Sequence, residues 1–296
     1  MLSILIPTFE YDCSDLLTAL HLQCETLAQK EQLDYEIIVA DDGSNHPVWQ
    51  TVQSTALSLS HCTFVRQEHN IGRSRIRNYL AQIAKGERLI FIDSHMSIIS
   101  PNYIQNYLAT DADICQGGYV TEANDKWNGN LRYQYERRAR QLNRKHENNA
   151  ETNRDFHTSN FMVKRQLFLA HPLDESIRRY GYEDVLYGKQ LYQNGIKVKN
   201  IDNPVAFAYF ESNSAFVQKT EEGITTLHEL RDRIGGFSRL LIHEQRLRKW
   251  HLTTPLFGVF SLFRQSMRDN LCGSHPNLHI FDCYKLLFLL SLDRHD

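Results

Sequence analysis

The sequence predicts an α/β fold, a mostly parallel sheet flanked by helices, followed by a helical appendage at the carboxyl end. Three observations carry that expectation. Through the first half of the chain, short β-rich runs alternate with stretches of helical periodicity, the pattern of parallel strands joined by crossover helices. Polar clusters stand just after the carboxyl ends of the strand candidates, where open α/β sheets bind ligands. From about Ser214 onward only helical patterns remain, punctuated by Gly235-Gly236, Pro255 and Gly273.

Leu2 to Pro7 is an apolar run that reads as the first strand, and Leu16, Leu17, Leu20, Cys24 and Leu27 then share one face of a helix. Tyr35 to Ala40 is the second strand and leads into Asp41-Asp42-Gly43-Ser44. Thr63 to Arg66 is a third, and Gly72 to Ala84 a helix with Ile76, Leu80 and Ile83 facing inward. Glu87 to Ile92 is the fourth strand and runs into Asp93-Ser94-His95. The segment from about Asn124 to Asp155 carries Arg132, Arg137, Arg138, Arg140, Arg144 and Lys145, and reads as an insertion over the sheet that is not a core element. Phe161 to Val163 resumes a buried strand, Glu183 to Asn194 is a helix stopped by Gly195, and Lys197 to Ile201 is the last strand candidate.

Composition narrows the function classes. Apolar residues at 42% and charged residues at 23% are ordinary globular values, which exclude a disordered tail, a collagen-like fibre and a disulfide-dense peptide. With 33 Lys+Arg against 35 Asp+Glu the net charge is -2, so no global field draws the chain onto nucleic acid and no such partner is expected. The six cysteines are scattered, without a CxxC pair or zinc-finger spacing, as in a reducing compartment. MLSILIPTFE lacks a basic start and a cleavage site and reads as a strand, not a signal peptide. The apolar stretch Tyr284 to Leu292 is interrupted by Lys285 and falls far short of the roughly 20 residues a spanning helix needs.

Four constellations carry chemistry, and each has a plain structural alternative. Asp42 in VADDGS follows a buried strand and can face a ligand, but Asp-Gly and Ser are also favoured in turns and helix caps. Asn70 to Asn78, NIGRSRIRN, sets a glycine and three arginines at a helix start, which suits a phosphate or a polarised ring; a solvated basic helix start is the alternative. Asp93 and His95, in the turn after an apolar strand, offer oxygen and nitrogen to one divalent ion, with substrate phosphate and water needed to complete the shell. Glu183 and Asp184 open a helix between aromatic residues, where a carboxylate can accept a proton from a hydroxyl or simply favour the helix dipole.

Together and in this order these segments resemble the inverting family-two glycosyltransferases of GT-A (Rossmann-like) fold. The matching stretches are ILIPTFE (Ile4 to Glu10), VADDGS (Val39 to Ser44), NIGRSRIRN, FIDSH (Phe91 to His95), TSNFMVKRQLF (Thr158 to Phe168) and GYEDVLYG (Gly181 to Gly188). Asn203 to Gly223 is similar to the tail of bacterial members that build surface polysaccharide. The resemblance divides the chain into a GT-A domain over 1–222 and a helical region over 223–296.

What the resemblance implies is a metal-dependent, inverting hexosyl- or N-acetylhexosaminyl-transferase. It would use a nucleotide-sugar donor, a UDP-sugar first, and Mn²⁺ or Mg²⁺. The acceptor would be a glycan or lipid-linked glycan, and the location cytoplasmic or peripheral on the inner face of the cell membrane. Pro7 and Phe9 would line the nucleotide, with Phe9 against the base, and Asp42 would accept a hydrogen bond from uracil. Arg77 would support base and ribose, and Asp93 and His95 would hold the metal. Asp184 would be the catalytic base, with Glu183 orienting hydroxyls. Two departures stand out: His95 replaces the usual Asp, as in the DSH of polypeptide N-acetylgalactosaminyltransferases, and Phe207 stands where relatives commonly carry His. These leave a retaining transferase and a non-catalytic sugar-nucleotide-binding subunit as alternatives. Lys219 is a substitute contact for the diphosphate or a solvated helix lysine. Near the carboxyl end, Leu240 to Phe263 mixes apolar residues with Arg239, Arg246, Arg248, Lys249, Arg264 and Arg268, which suits a membrane surface or a packed helical rim.

Overall fold

The computed structural model describes residues 1–143 and 152–293; Arg144 and Lys145 of the basic insertion lie outside them. In chain order the elements begin β1 (Leu2–Thr8), α1 (Ser14–Glu31), β2 (Tyr35–Asp41), α2 (Val48–Ser58), β3 (Cys62–Arg66) and α3 (Arg73–Ile83). Next come β4 (Arg88–Ile92), β5 (Met96–Ile98), α4 (Tyr103–Leu108), β6 (Ile114–Gln116), β7 (Tyr119–Val120) and α5 (Leu131–Asn143). They are followed by β8 (Asn160–Lys164), α6 (Arg165–Ala170), α7 (Glu183–Gln193), β9 (Lys199–Asn200) and β10 (Val205–Phe207). The chain then turns helical: α8 (Asn213–Glu229), α9 (Arg231–Ile234), α10 (Arg239–Lys249), α11 (Thr253–Cys272) and α12 (Leu278–Leu292).

By compactness these elements fall into two units. The first comprises Met1–Val120, Glu151–Arg178 and Gln190–Tyr209. Its main sheet has the order β3-β2-β1-β4-β8-β6-β9. β3, β2, β1 and β4 run parallel, and β8 is antiparallel to both β4 and β6. Strands covered on both faces need apolar residues without alternation, and β1 is accordingly buried at every position. On one face Ile4, Ile6, Ile37, Val39, Ile90 and Ile92 pack with Leu17, Leu20 and Cys24 of α1. On the other, Phe91 stacks on Phe161 with ring centroids 4.8 Å apart, and Phe168 of α6 packs beside Phe91 at 5.0 Å. Because the chain steps outward from β1 to β3 and then returns to β4, the carboxyl ends of β1 and β4 form a topological switch point.

A second sheet, β5-β10-β7, follows β4. Asn160 fastens this region: its carbonyl accepts from Tyr103 and Tyr107 hydroxyls at 2.7 Å each, and its amide donates to the Gly118 and Asn203 carbonyls at 2.7 and 3.0 Å. A buried amide with partners on both oxygen and nitrogen fixes one arrangement of these short strands.

The second unit comprises Thr121–Ala150, Arg179–Lys189 and Phe210–Asp296. Its core is aromatic and aliphatic, with Leu131, Tyr133, Val217, Leu227, Leu241, Phe260, Leu271, Phe281, Tyr284 and Leu289 buried. α12 packs against α8, α10 and α11.

The outcome departs from expectation at three places. The insertion does contribute to a core, because α5 buries Leu131 and Tyr133 within the second unit. The run expected as the last strand forms only the two-residue β9, and β10 at Val205–Phe207 follows it. Ile83 is half-buried, while Ile76, Leu80 and Ala81 are the buried apolar positions of α3. Each compact unit is built from three separate stretches of chain, and residue 222 lies inside α8. Among the described residues no helix is long and apolar enough to cross a membrane.

Candidate active site

The first unit presents its polar groups where β1, β2 and β4 end. Pro7 is buried within β1, paired in register with Ala40, so it shapes the strand end. Phe9 follows β1 and is 43% exposed, an aromatic face open to a planar ligand. The next residue, Glu10, sits at φ 51° and its carboxylate accepts from the Asn45 and His46 amides at 2.7 and 3.1 Å. These bonds lace the loop after β1 to the loop after β2.

In the second loop Asp41 and Asp42 diverge. Asp41 accepts from the Ser44 amide at 3.0 Å and pairs with Arg66 at 3.3 Å, and the Arg66 guanidinium lies 4.6 Å from the Trp49 ring centre. Asp42 is 4% exposed and accepts from the Ile71 and Gly72 amides at 2.8 and 3.1 Å. Burial pushes its carboxyl upward, and the two amides oppose that shift. Gly43 at φ 75° makes the arrangement possible: a Cβ there would stand 2.3 Å from the His69 carbonyl carbon. Asp42 therefore ties its turn to the start of α3. Sequence alone could not see that tie, or the roles of Asp41 and Arg66.

After β4, Asp93 is 6% exposed and Arg77 of α3 is 2% exposed. The Arg77 guanidinium donates to one carboxylate oxygen, and Arg73 approaches the other at 3.5 Å. Burial pushes the Asp93 carboxyl up, but Arg77, then Arg73 and His95, pull it down to about 2. Arg77, expected to support base and ribose, is engaged by Asp93 and by the Arg73 carbonyl at 2.9 Å.

His95 is half-buried, and its ring stacks on Phe207 at a centroid distance of 5.8 Å with 27° between planes. Phe207 lies opposite Met96 across β10 and β5, and Tyr119 packs edge-on against it at 5.1 Å. The departure noted in the sequence therefore sits directly beside the metal motif. Among the described residues no three His, Cys, Asp or Glu side chains gather as a metal cage. Asp93 and His95 supply one carboxylate and one imidazole, a donor pair that fits a divalent ion once phosphate oxygens and water fill the shell.

In the second unit Gly181 at φ 100° and Tyr182 at φ 65° turn the chain into α7. Glu183 is 6% exposed, whereas Asp184 is half-buried with its carboxylate accepting from the Val185 amide at 2.8 Å. The approach to this turn is held by one face of α8. Glu222 accepts from the Tyr180 amide at 3.1 Å, Thr226 donates to the Tyr180 carbonyl at 2.9 Å, and Arg179 pairs with Glu229 at 2.5 Å. Lys219 lies on the same face, 5.9 Å from the Tyr180 ring centre and 3.2 Å from the Glu211 carboxylate. Its engagement with Glu211 places it in a network with half-buried Arg132.

The mostly parallel β3-β2-β1-β4-β8-β6-β9 sheet flanked by helices is a GT-A glycosyltransferase fold. The sequence profile described as glycosyl transferase family 2 matches residues 3–170, more than half of the chain, and the protein belongs to that family of glycosyltransferases. Mannosyltransferase PcManGT from Pyrobaculum calidifontis, solved in complex with GDP-Man and Mn²⁺, is similar in fold with a TM-score of 0.60 at 13% identity, covering 99% of this chain and 86% of that one. Glucosyl-3-phosphoglycerate synthase from Mycobacterium tuberculosis, solved with Mn²⁺, UDP and glucosyl-3-phosphoglycerate, gives 0.51 at 13% identity over 79% of this chain and 80% of its own. Chondroitin synthase from Escherichia coli is 27% identical over 239 residues, 70% of this chain and 34% of that protein. The chain thus spans about a third of the length of that curated relative.

Proposed function

We propose that the protein moves a hexosyl or N-acetylhexosaminyl group from a UDP-sugar to a carbohydrate hydroxyl with inversion, in the building of a polysaccharide or glycolipid. The observation that carries this reading is Asp93, buried at the switch point with Arg77 on one carboxylate oxygen and Arg73 near the other. GDP-Man with Mn²⁺ in one structural neighbour, UDP with Mn²⁺ in another, and the likeness to a chondroitin synthase support it. In this reading residues 1–222 carry the transfer and 223–296 supplement it.

Phe9 stacks on the base, bordered by the loop that carries Asp42 and by Arg66 at the end of β3. Asp184 accepts the acceptor hydroxyl proton as the oxygen attacks the anomeric carbon in line, and the bond to the diphosphate breaks with its electron pair leaving on phosphate. Glu183 orients the hydroxyls. Arg73 offsets the charge growing on the leaving group. A divalent ion held by Asp93 and His95 would supply further neutralisation of that charge.

The test is a panel of nucleotide sugars assayed for transfer, with Asp184→Asn beside the parent protein. Loss of about a hundredfold or more in turnover, with nucleotide affinity intact, is expected for removal of a general base. Collapsed donor affinity with near-normal residual turnover would instead make Asp184 a helix cap. Phe207 against His95 favours a second reading, a sugar-nucleotide-binding subunit without catalysis. Donor hydrolysis measured with and without Mn²⁺ separates the two.

A further inference from the structure

Within the second unit, α11 has an unusual outer face. Its inner side buries Phe260 and Leu271 at 1% and 0% exposure. The opposite stripe should be polar if it met only water. Instead Val259 and Phe263 are 50% and 56% exposed, and Leu262 at 80% is the most exposed large apolar side chain among the described residues. Just before the helix, Trp250 and Leu252 are 65% and 40% exposed. Leu252, Val259, Leu262, Phe263 and Ser266 follow one another at helical spacing, so the apolar positions form one stripe and not isolated contacts.

The charge around this stripe is one-sided. From Gln245 to Arg268 the chain has five Lys or Arg and no Asp or Glu, in a protein whose net charge is -2. Arg248 and Arg268 are held by carboxylates of their own unit, Glu244, Asp293 and Glu221. Arg264 lies over the Phe260 and Phe288 rings at 5.8 and 5.3 Å, and Arg246 and Lys249 are exposed. A second copy seated on this face by two-fold symmetry would bring like charges together. A flat anionic surface accepts both features at once, apolar side chains below its headgroups and cations among them. Trp250, an amphipathic ring at the edge of the stripe, suits that boundary.

We propose that the α10–α11 segment seats this protein on an anionic lipid surface, with Trp250, Leu252, Val259, Leu262 and Phe263 entering the headgroup layer and Arg246 and Lys249 meeting lipid phosphates. The segment lies on the bilayer, since no described helix is long and apolar enough to cross it. The inference concerns location and is independent of the assignment of the catalytic base.

The experiment is flotation of the full chain with vesicles of phosphatidylcholine alone and of phosphatidylcholine mixed with phosphatidylglycerol, at low and high salt. Binding to the mixed vesicles at low salt is expected, and little to phosphatidylcholine alone. The Leu262→Glu/Phe263→Glu double variant should lower the bound fraction by about tenfold or more with its thermal unfolding unchanged. Arg246→Glu/Lys249→Glu should remove the salt-sensitive part of binding. A protein that stays in the soluble fraction with mixed vesicles at low salt overturns the proposal. So does a double variant that floats like its parent, or a solution dimer that Phe263→Glu dissociates.

Discussion

Arg77 and Asp93 form the most demanding pair in the first unit, two opposite charges 2% and 6% exposed on either side of the β4 turn. Taking one partner away strands the other charge in a poorly solvated place, and such losses run to about 3–5 kcal/mol. Arg77→Met should therefore lower the urea-unfolding free energy by about that amount, independent of any effect on transfer. His95 is the contrasting case, because its ring packs on Phe207 and its imidazole offers a nitrogen to a metal. Excess chelator should abolish turnover, and His95→Ala should lose the Mn²⁺-dependent activity with the unfolding midpoint little moved. Full turnover in chelator removes the metal from the mechanism and leaves the arginines of α3 as the charge-neutralising groups.

At the scale of elements, α8 acts as a splint for the turn that leads into Glu183 and Asp184. A Cβ on Gly181 would stand 3.0 Å from the Gly223 Cα, in a residue already at φ 100°, whereas one on Gly223 would find its nearest neighbour at 3.8 Å. Gly181→Ala should strain the turn by about 1–3 kcal/mol and depress kcat more than donor KM, while Gly223→Ala should be tolerated. Steady-state kinetics on the pair separates a positioning turn from a mere connection. The same scale decides what the sequence could disclose. β1, β2, β4 and β8 are apolar runs of five to seven residues and were legible as strands. β5, β7 and β10 have only two or three residues, too few to show any period, and they depend on a distant side chain, Asn160, for their arrangement. α5 reads as solvated because of its arginines, yet Arg132 is paired with Glu211 and Arg138 with Asp282, so charge does not bar it from a core. The acidic turns of the site were legible by position. The partners of Asp42 were not, since they are backbone amides brought up by the local path around Gly43.

At the scale of the whole molecule, acid sensitivity should arise partly in the second unit. Burial raises the Glu211 carboxyl, but Arg132 and then Lys219 outweigh it and leave the native value below the ordinary 4.5. A carboxylate lowered on folding contributes stability above its unfolded value and loses it as the pH falls through the native one. Thermal unfolding followed downward from pH 5 should thus show a loss that Glu211→Gln reduces. An identical slope in the variant would move the acid-sensitive site elsewhere.

The antiparallel insertion of β8 between β4 and β6 also has a meaning in time. Ile90 and Phe91 of β4 are partnered on one side by β1, which precedes them, and on the other by Met162 and Phe161, which the ribosome delivers much later. Until that strand emerges, a nascent chain already long enough to build β1 through β4 carries an apolar strand with one row of amides and carbonyls unmatched. Such long-range pairing folds slowly and leaves a template for association while it waits. The late arrival of Asn160–Lys164 makes the interval of synthesis between β4 and β8 the period in which this edge stands unpaired.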